Sequence, residues 1–386
     1  MPRAVERISA ARTFGVGLAT AILLAAGAPA LADVFESQHG PVRVETVASG
    51  LVHPWGLAFL PDRAMLVTER PGRVRIATPD GALSQPLSGT PDVAASGQGG
   101  MLDVALDPDF ETNNLVYLAF AEARDGGAAL SVARARLDRD GLALHDVETI
   151  FRQQPATPGG RHFGARLAFS PDGTLFISSG DRGDRSDDAQ EPGNHIGALM
   201  RINPDGSIPP GNPAETREGW APEVWSIGHR NIQGAAIEPA TGILWTNEHG
   251  ARGGDEINIP EAGLNYGWPV IAYGRHYSGA PIGEGTHREG MEQPVYYWDP
   301  SIAPSGMAFY EGDVFPEWRG DIFIGALAGQ HLARLSVEGA SIVAEERLLD
   351  GLQERIRDVR SGPDGMIYLL TDASDGRILR LVPADR

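Results

Sequence analysis

Six times between Leu57 and Asp372 the chain repeats one short pattern. An apolar run meets a turn rich in Pro, Asp and Gly, and a second apolar run then ends near a polar residue. The units run from Leu57 to Arg70, Val104 to Phe120, Leu167 to Gly180, Ala236 to Glu248, Met307 to Gly325 and Val359 to Asp372. Each reads as two short strands joined by a tight turn, and a hairpin of this kind cannot bury both faces alone. Repeated six times with almost no long amphipathic helical period between, the pattern predicts an all-β, six-bladed β-propeller. Segments 72–76, 199–203, 331–335 and 377–381 supply outer strands. The early run Val42 to Val47 is expected to pair with the last blade, closing the ring and removing its open edges.

The chain opens with Arg3, Arg7 and Arg12, turns apolar from Phe14 to Ala26, and reaches Ala30-Leu31-Ala32 just before Asp33. This order predicts a secretory signal peptide over 1–32, cleaved after Ala32, and a single propeller domain over 33–386. The apolar stretch is too short for a stable membrane anchor, so a periplasmic location is expected. No cysteine is present, so no disulfide framework can staple the exported fold. Removing Arg3, Arg7, Arg12 and Glu6 with the leader takes the formal charge from −19 to −21, which argues against nucleic acid as a partner. All 32 basic residues are arginine. Chemistries that need a lysine, such as Schiff bases and phosphate-loop contacts, are therefore excluded. Zinc-protease, serine-hydrolase and dinucleotide-binding motifs are also missing from the sequence.

Candidate chemical groups cluster just ahead of the repeated units. His162 lies in a glycine-flanked segment before the third unit, as a general base or as a loop histidine bonded to backbone. Arg230 and Asn231 stand at the start of the fourth unit, where an arginine either stabilises an oxyanion or braces loop carbonyls. Arg355 and Arg357 precede the sixth unit at alternate positions, which presents two guanidinium groups to one face. They form either a clamp for a polyanion or a solvated pair. The stretch from Asn247 to Asn258 is rich in oxygen and glycine, which suggests a calcium site. The acidic run Asp181 to Asp188 reads as a solvated loop.

Seven ordered segments carry a more specific resemblance: Gly97 to Val104, Gly160 to Phe169, Gly228 to Gly234, Gly254 to Asn258, Leu264 to Pro269, Ser301 to Gly306 and Arg355 to Val359. Together they resemble the soluble glucose/sorbosone dehydrogenases that use pyrroloquinoline quinone (PQQ), especially the periplasmic aldose sugar dehydrogenases. The resemblance implies oxidation of an aldose to its lactone, with PQQ and calcium as cofactors and a periplasmic electron acceptor. In it His162 is the base that takes the anomeric hydroxyl proton, with Gln98 beside it. Arg230 and Asn231 match cofactor contacts, Arg230 facing negative charge on the reduced quinone; Arg355 and Arg357 match the grip on its carboxylates. Ser301 and the Tyr296 to Asp299 segment match the cofactor lining. Main-chain oxygens of the loop His249, Gly250 and Ala251 match the catalytic calcium site, and Glu256 with the Tyr266 carbonyl a structural one. Ala328 departs from the pattern, standing where family members place a lysine against the quinone. Arg182 replaces a glutamine that contacts substrate in some members.

Two other classes compete with this reading. A propeller lactonase needs a carboxylate-ringed central calcium, whereas the central candidates here are arginines and a histidine. A propeller that has lost its cofactor would act as a binding module, for which Ala328 is the chief argument.

Overall fold

The computed structural model describes Met1 and residues 33–384. The expected signal peptide lies outside the described residues. From Asp33 onward the chain forms six antiparallel sheets, one per blade, and all six expected hairpins are the inner pairs of those sheets. Blade 1 has three strands, Pro54–Phe59, Met65–Glu69 and Arg73–Ala77. Blades 2 to 5 have four each. Their inner strands are Met101–Leu106, Leu167–Phe169, Ile232–Ile237 and Pro304–Phe309. Blade 6 begins with Ile356–Ser361, Ile367–Thr371 and Gly376–Pro383. Strand Val42–Leu51 then adds to its outer side, with Val42 opposite Pro383 and Val44 opposite Leu381. N- and C-terminal strands thus share one sheet, and the ring is held shut by backbone hydrogen bonds.

The core lies between blades. One apolar cluster joins Tyr117 and Leu130 of blade 2 to Leu167, Ile177 and Met200 of blade 3. Another joins Tyr310, Trp318 and Phe323 of blade 5 to Val359, Leu369 and Leu379 of blade 6. Sheet faces on both sides of most strands are therefore covered, and inner strands read as nearly continuous apolar runs.

Charge replaces hydrocarbon at the centre of the ring. Arg166, only 1% exposed, donates from Nη1 to Asp103 at 2.9 Å and lies 3.0 Å from Asp358. Arg360 reaches both carboxylates, at 3.2 Å and 3.0 Å. Burying these charges is costly, and the cost is offset because each is paired and because Asp358, Asp103 and Arg166 are also bonded to the backbone of other blades. Leu57 N–H donates to Asp358, Leu167 N–H to Asp103, and Arg166 Nε to the Gln233 carbonyl. Blades 1, 2, 3, 4 and 6 are thereby joined beside the candidate site. Among the described residues no helix is long and apolar enough to cross a membrane.

Candidate active site

In every blade the inner strand starts, and the second strand ends, at the same end of the ring, because the two are antiparallel. Residues just before a first strand or just after a second one therefore converge there. They enclose a cavity of about 160 Å³ lined by Gln98, Phe163, Gly164, Asn231, Gln233, His249, Ala303, Leu327, Arg355 and Arg357. Trp55, Arg70, Leu102 and Asp372 complete the wall.

His162 stands beside this wall at a left-handed φ of 49°, and Gly180 packs against its carbonyl where a side chain would not fit. Its backbone N–H donates to Gln98 Oε1 at 2.7 Å, which joins two residues placed together by the resemblance. Nδ1 lies 2.6 Å from Asp181 Oδ1. An ionised carboxylate only accepts, so Nδ1 carries the proton and Nε2 is left as the basic nitrogen. Burial lowers the His162 pKa and the Arg230 charge adds to this, more than offsetting the upward pull of Asp181. The imidazole is thus held neutral and able to accept a proton at neutral pH.

Asp181 corrects the expectation of a solvated acidic run. It is 1% exposed, and it accepts from Gly183 N–H at 2.7 Å and Trp268 Nε1–H at 2.8 Å as well as from His162. Burial alone would raise its pKa, but the His162 bond and the Arg230 charge bring it below the usual value. Its neighbour Arg182 is buried too. The Arg182 guanidinium sits 3.5 Å over the Phe163 ring and donates to Thr157, Gly159 and Arg161, bracing the loop that leads into His162. Position 182 therefore serves the loop in this structure.

Arg355 and Arg357 do face the cavity, and Asp372 organises them. Its Oδ2 accepts from Arg357 at 3.0 Å and from Arg355 at 3.4 Å, while Oδ1 lies 2.8 Å from His53 Nδ1. Arg357 also donates to Gln233 Oε1 at 3.1 Å, and Arg355 to the Leu327 carbonyl at 3.0 Å. Nε of Arg70 and of Arg357 are buried without a hydrogen-bond partner among the described residues. Three guanidinium groups face the cavity against one carboxylate. Unspent donors and excess positive charge fit a small ligand carrying several carboxylates.

Arg230 stands between this cavity and a second one. Its guanidinium lies 5.2 Å from the Trp268 ring centre and donates to the carbonyls of His249, at 3.2 Å, and Gly250. Asn231 turns Oδ1 to Gly164 N–H at 3.1 Å. The second cavity has a volume of about 20 Å³, room for roughly one small ion or water. The resemblance implies two separate calcium sites, but Gly250 and Ala251 of the one and Glu256 and Tyr266 of the other line this same cavity, together with Glu248 and Arg230. Burial and the neighbouring Glu248 push Glu256 up to about 8, so two carboxylates share a dry space. Glu248 is held by His229 at 2.9 Å and by Arg230 N–H at 2.5 Å. No cluster of three or more metal-ligating side chains occurs among the described residues. A cation here would rest on carboxylate and main-chain oxygens, a donor set that suits calcium.

Two expected lining groups are placed differently. Ser301 gives its hydroxyl to Asp255 at 2.6 Å, and its loop contributes Ala303 to the wall. Asp255 also accepts from Gly250 N–H, so it ties the walls of both cavities together. Tyr296 and Trp298 lie on the outermost strand of blade 4 and donate to Glu345. Ala328 is exposed next to the cavity-lining Leu327.

Residues 51–380 match the family model described as Glucose / Sorbosone dehydrogenase. The chain is 47% identical over 346 residues to an aldose sugar dehydrogenase of Escherichia coli, covering 89% of this chain and 93% of that protein. The crystal structure of the soluble aldose sugar dehydrogenase from Escherichia coli in its apo form is 46% identical with a TM-score of 0.86, covering 89% of this chain and all of the other. The PQQ-bound form of an aldose sugar dehydrogenase from Streptomyces coelicolor is 32% identical with a TM-score of 0.74, covering 88% of this chain and 98% of that one. Ordered motifs, ring topology and these similarities converge, and the chain belongs to the glucose/sorbosone dehydrogenase family.

Proposed function

We propose that this protein is a periplasmic, PQQ- and calcium-dependent dehydrogenase that oxidises aldose sugars at the anomeric carbon to lactones. The observation that carries the reading is the His162–Asp181 pair at 2.6 Å beside a cavity walled by three guanidinium groups. PQQ, when bound in that cavity, supplies a two-electron acceptor for the hydride leaving the anomeric carbon. Everything else falls to the chain's own residues.

His162 Nε2 takes the proton of the anomeric hydroxyl as the C–H bond breaks, and the carbon–oxygen bond becomes the lactone carbonyl. Asp181 keeps the imidazole in the tautomer that leaves Nε2 free and favours the imidazolium once formed. Gln98 fixes the backbone at His162. Arg355 and Arg357, splayed by Asp372, would hold carboxylates of the cofactor, and Asn231 lines the same wall. Arg230 is placed to face negative charge that develops between the cavities. Main-chain oxygens at Gly250 and Ala251 would hold the catalytic calcium, Glu256 with the Tyr266 carbonyl a structural one, and Ser301 would act through the Asp255 loop. Electrons then pass to a periplasmic acceptor.

Dye reduction by the purified protein, with glucose and other aldoses, tests this directly. Turnover that requires both PQQ and calcium is the expected result. Absence of turnover together with absence of PQQ binding in a titration would overturn it.

A further inference from the structure

Arg70 was not singled out by any repeat or motif, yet it lines the arginine-rich cavity. Its main chain is pinned at the end of the second strand of blade 1. Arg70 N–H donates to the His53 carbonyl at 3.1 Å, and Met101 N–H donates to the Arg70 carbonyl at 3.1 Å. Its side chain is half-buried and, among the described residues, makes no ion pair within 4 Å; its Nε is buried without a partner. Arg355 and Arg357 differ, since both are tied to Asp372. Burial holds Arg357 below its ordinary pKa, and the like charges of Arg355 and Arg70 push the same way against Asp372. A fixed backbone thus carries an unneutralised guanidinium toward two others, an arrangement that repays its repulsion only with an anion between them.

We propose that Arg70 is a cofactor-binding residue that holds a carboxylate of PQQ. The inference rests on the PQQ reading above and deepens it. Three guanidinium groups then answer a ligand with three carboxylates, and Asp372 sets the spacing of only two of them. Arginine suits the task because its planar fork can pair both oxygens of one carboxylate.

Titration of the calcium-loaded protein with PQQ, followed by quenching of intrinsic tryptophan fluorescence, reads this without any turnover. Arg70→Gln is expected to weaken PQQ binding on the order of 10-fold or more, the scale of one lost charge-assisted contact. Its melting temperature without PQQ should not fall and should rise slightly, because the side chain makes no ion pair and its replacement relieves the repulsion on Arg357. Arg70→Lys, which keeps the charge and loses the fork, should fall between the two. Arg70→Gln titrating like a wild type that binds PQQ would remove this inference and leave the cofactor reading intact. Failure of the wild type itself to bind would remove both.

Discussion

Two cavities meet at His249 and are lined by contrasting side chains. The larger is walled by Arg70, Arg355 and Arg357 against one carboxylate, Asp372. The smaller holds Glu248 and Glu256, with Glu256 pushed up to about 8. Arg230 lies at the boundary and turns its guanidinium to carbonyls of the shared wall. A protein of formal charge −19 has thus gathered local positive potential where a polyanion would sit, and set two buried carboxylates, one of them pushed toward its protonated form, on the other side of the wall. The contrast teaches that net charge says little about a site, because a closed ring sorts charge blade by blade. On the function proposed above it also separates two roles: proton transfer beside the basic cavity, cation binding in the acidic one.

That separation can be broken at either side. The largest effect is expected at the edge of the basic cavity, where His162→Ala should lower kcat on the order of 10²–10⁴-fold while PQQ titrates as in the wild type. Near-normal kcat would remove His162 as the base. Asp181→Asn should cost about 10²-fold in kcat, by losing the tautomer that leaves Nε2 free. It also predicts a shift in the pH profile. Burial favours neutral His162, so wild-type kcat should rise with pH through a midpoint below about 6.5, the ordinary imidazole value. Asp181 pulls that midpoint upward, and its removal should move the acid limb to lower pH. An unmoved limb would show that Asp181 does not act through His162.

Within the basic cavity, replacing Arg355 and Arg357 together by alanine should weaken PQQ binding by about 10²-fold or more, since two charge-assisted contacts are lost. Unchanged titration would rule out the clamp. The smallest effect belongs to the acidic cavity. Glu256→Ala should lower the melting temperature by roughly 3–6 °C in excess calcium, the size of a lost ligand-linked stabilisation, and by much less in chelator. Equal drops in both conditions would show that Glu256 supports the fold for another reason, and the two-role comparison would lose its second half.

Much of the fold was legible because a blade is a local object. Its hairpin closes within about fifteen residues, so a turn such as Pro171-Asp172-Gly173 between apolar runs is enough to place two strands. Ring closure was legible too, since Val42 to Val47 had no other edge to join. The site was legible where a residue lay just before a repeated unit. That rule found His162, Arg230, Asn231, Arg355 and Arg357, and the resemblance added Gln98, Gly250, Ala251, Glu256 and Tyr266. It missed residues at the far ends of second strands. Arg70 and Asp372 follow Glu69 and Thr371 at the ends of second strands, which the antiparallel hairpin returns to the same end of the ring. Glu248 was missed for the same reason. Asp181 was hidden by its company, because an acid followed by Asp184, Asp187 and Asp188 looks solvated until burial is known. Ser301 shows the opposite failure, since its neighbour Ala303 takes the place on the wall.

By itself, then, the sequence determined the blade count, the order of strands and the set of polar groups delivered to one end of the ring. Each depends on contacts a few residues long or on a repeat. Which of those groups are paired, which are dry and which stand unneutralised was decided only by the tertiary structure. Asp372 meets Arg357 and His53, and Arg166 meets Asp103 and Asp358, across separations of up to 319 residues in the chain. Charge at a site is a sum over neighbours from different blades, and that sum exists only once the ring has closed.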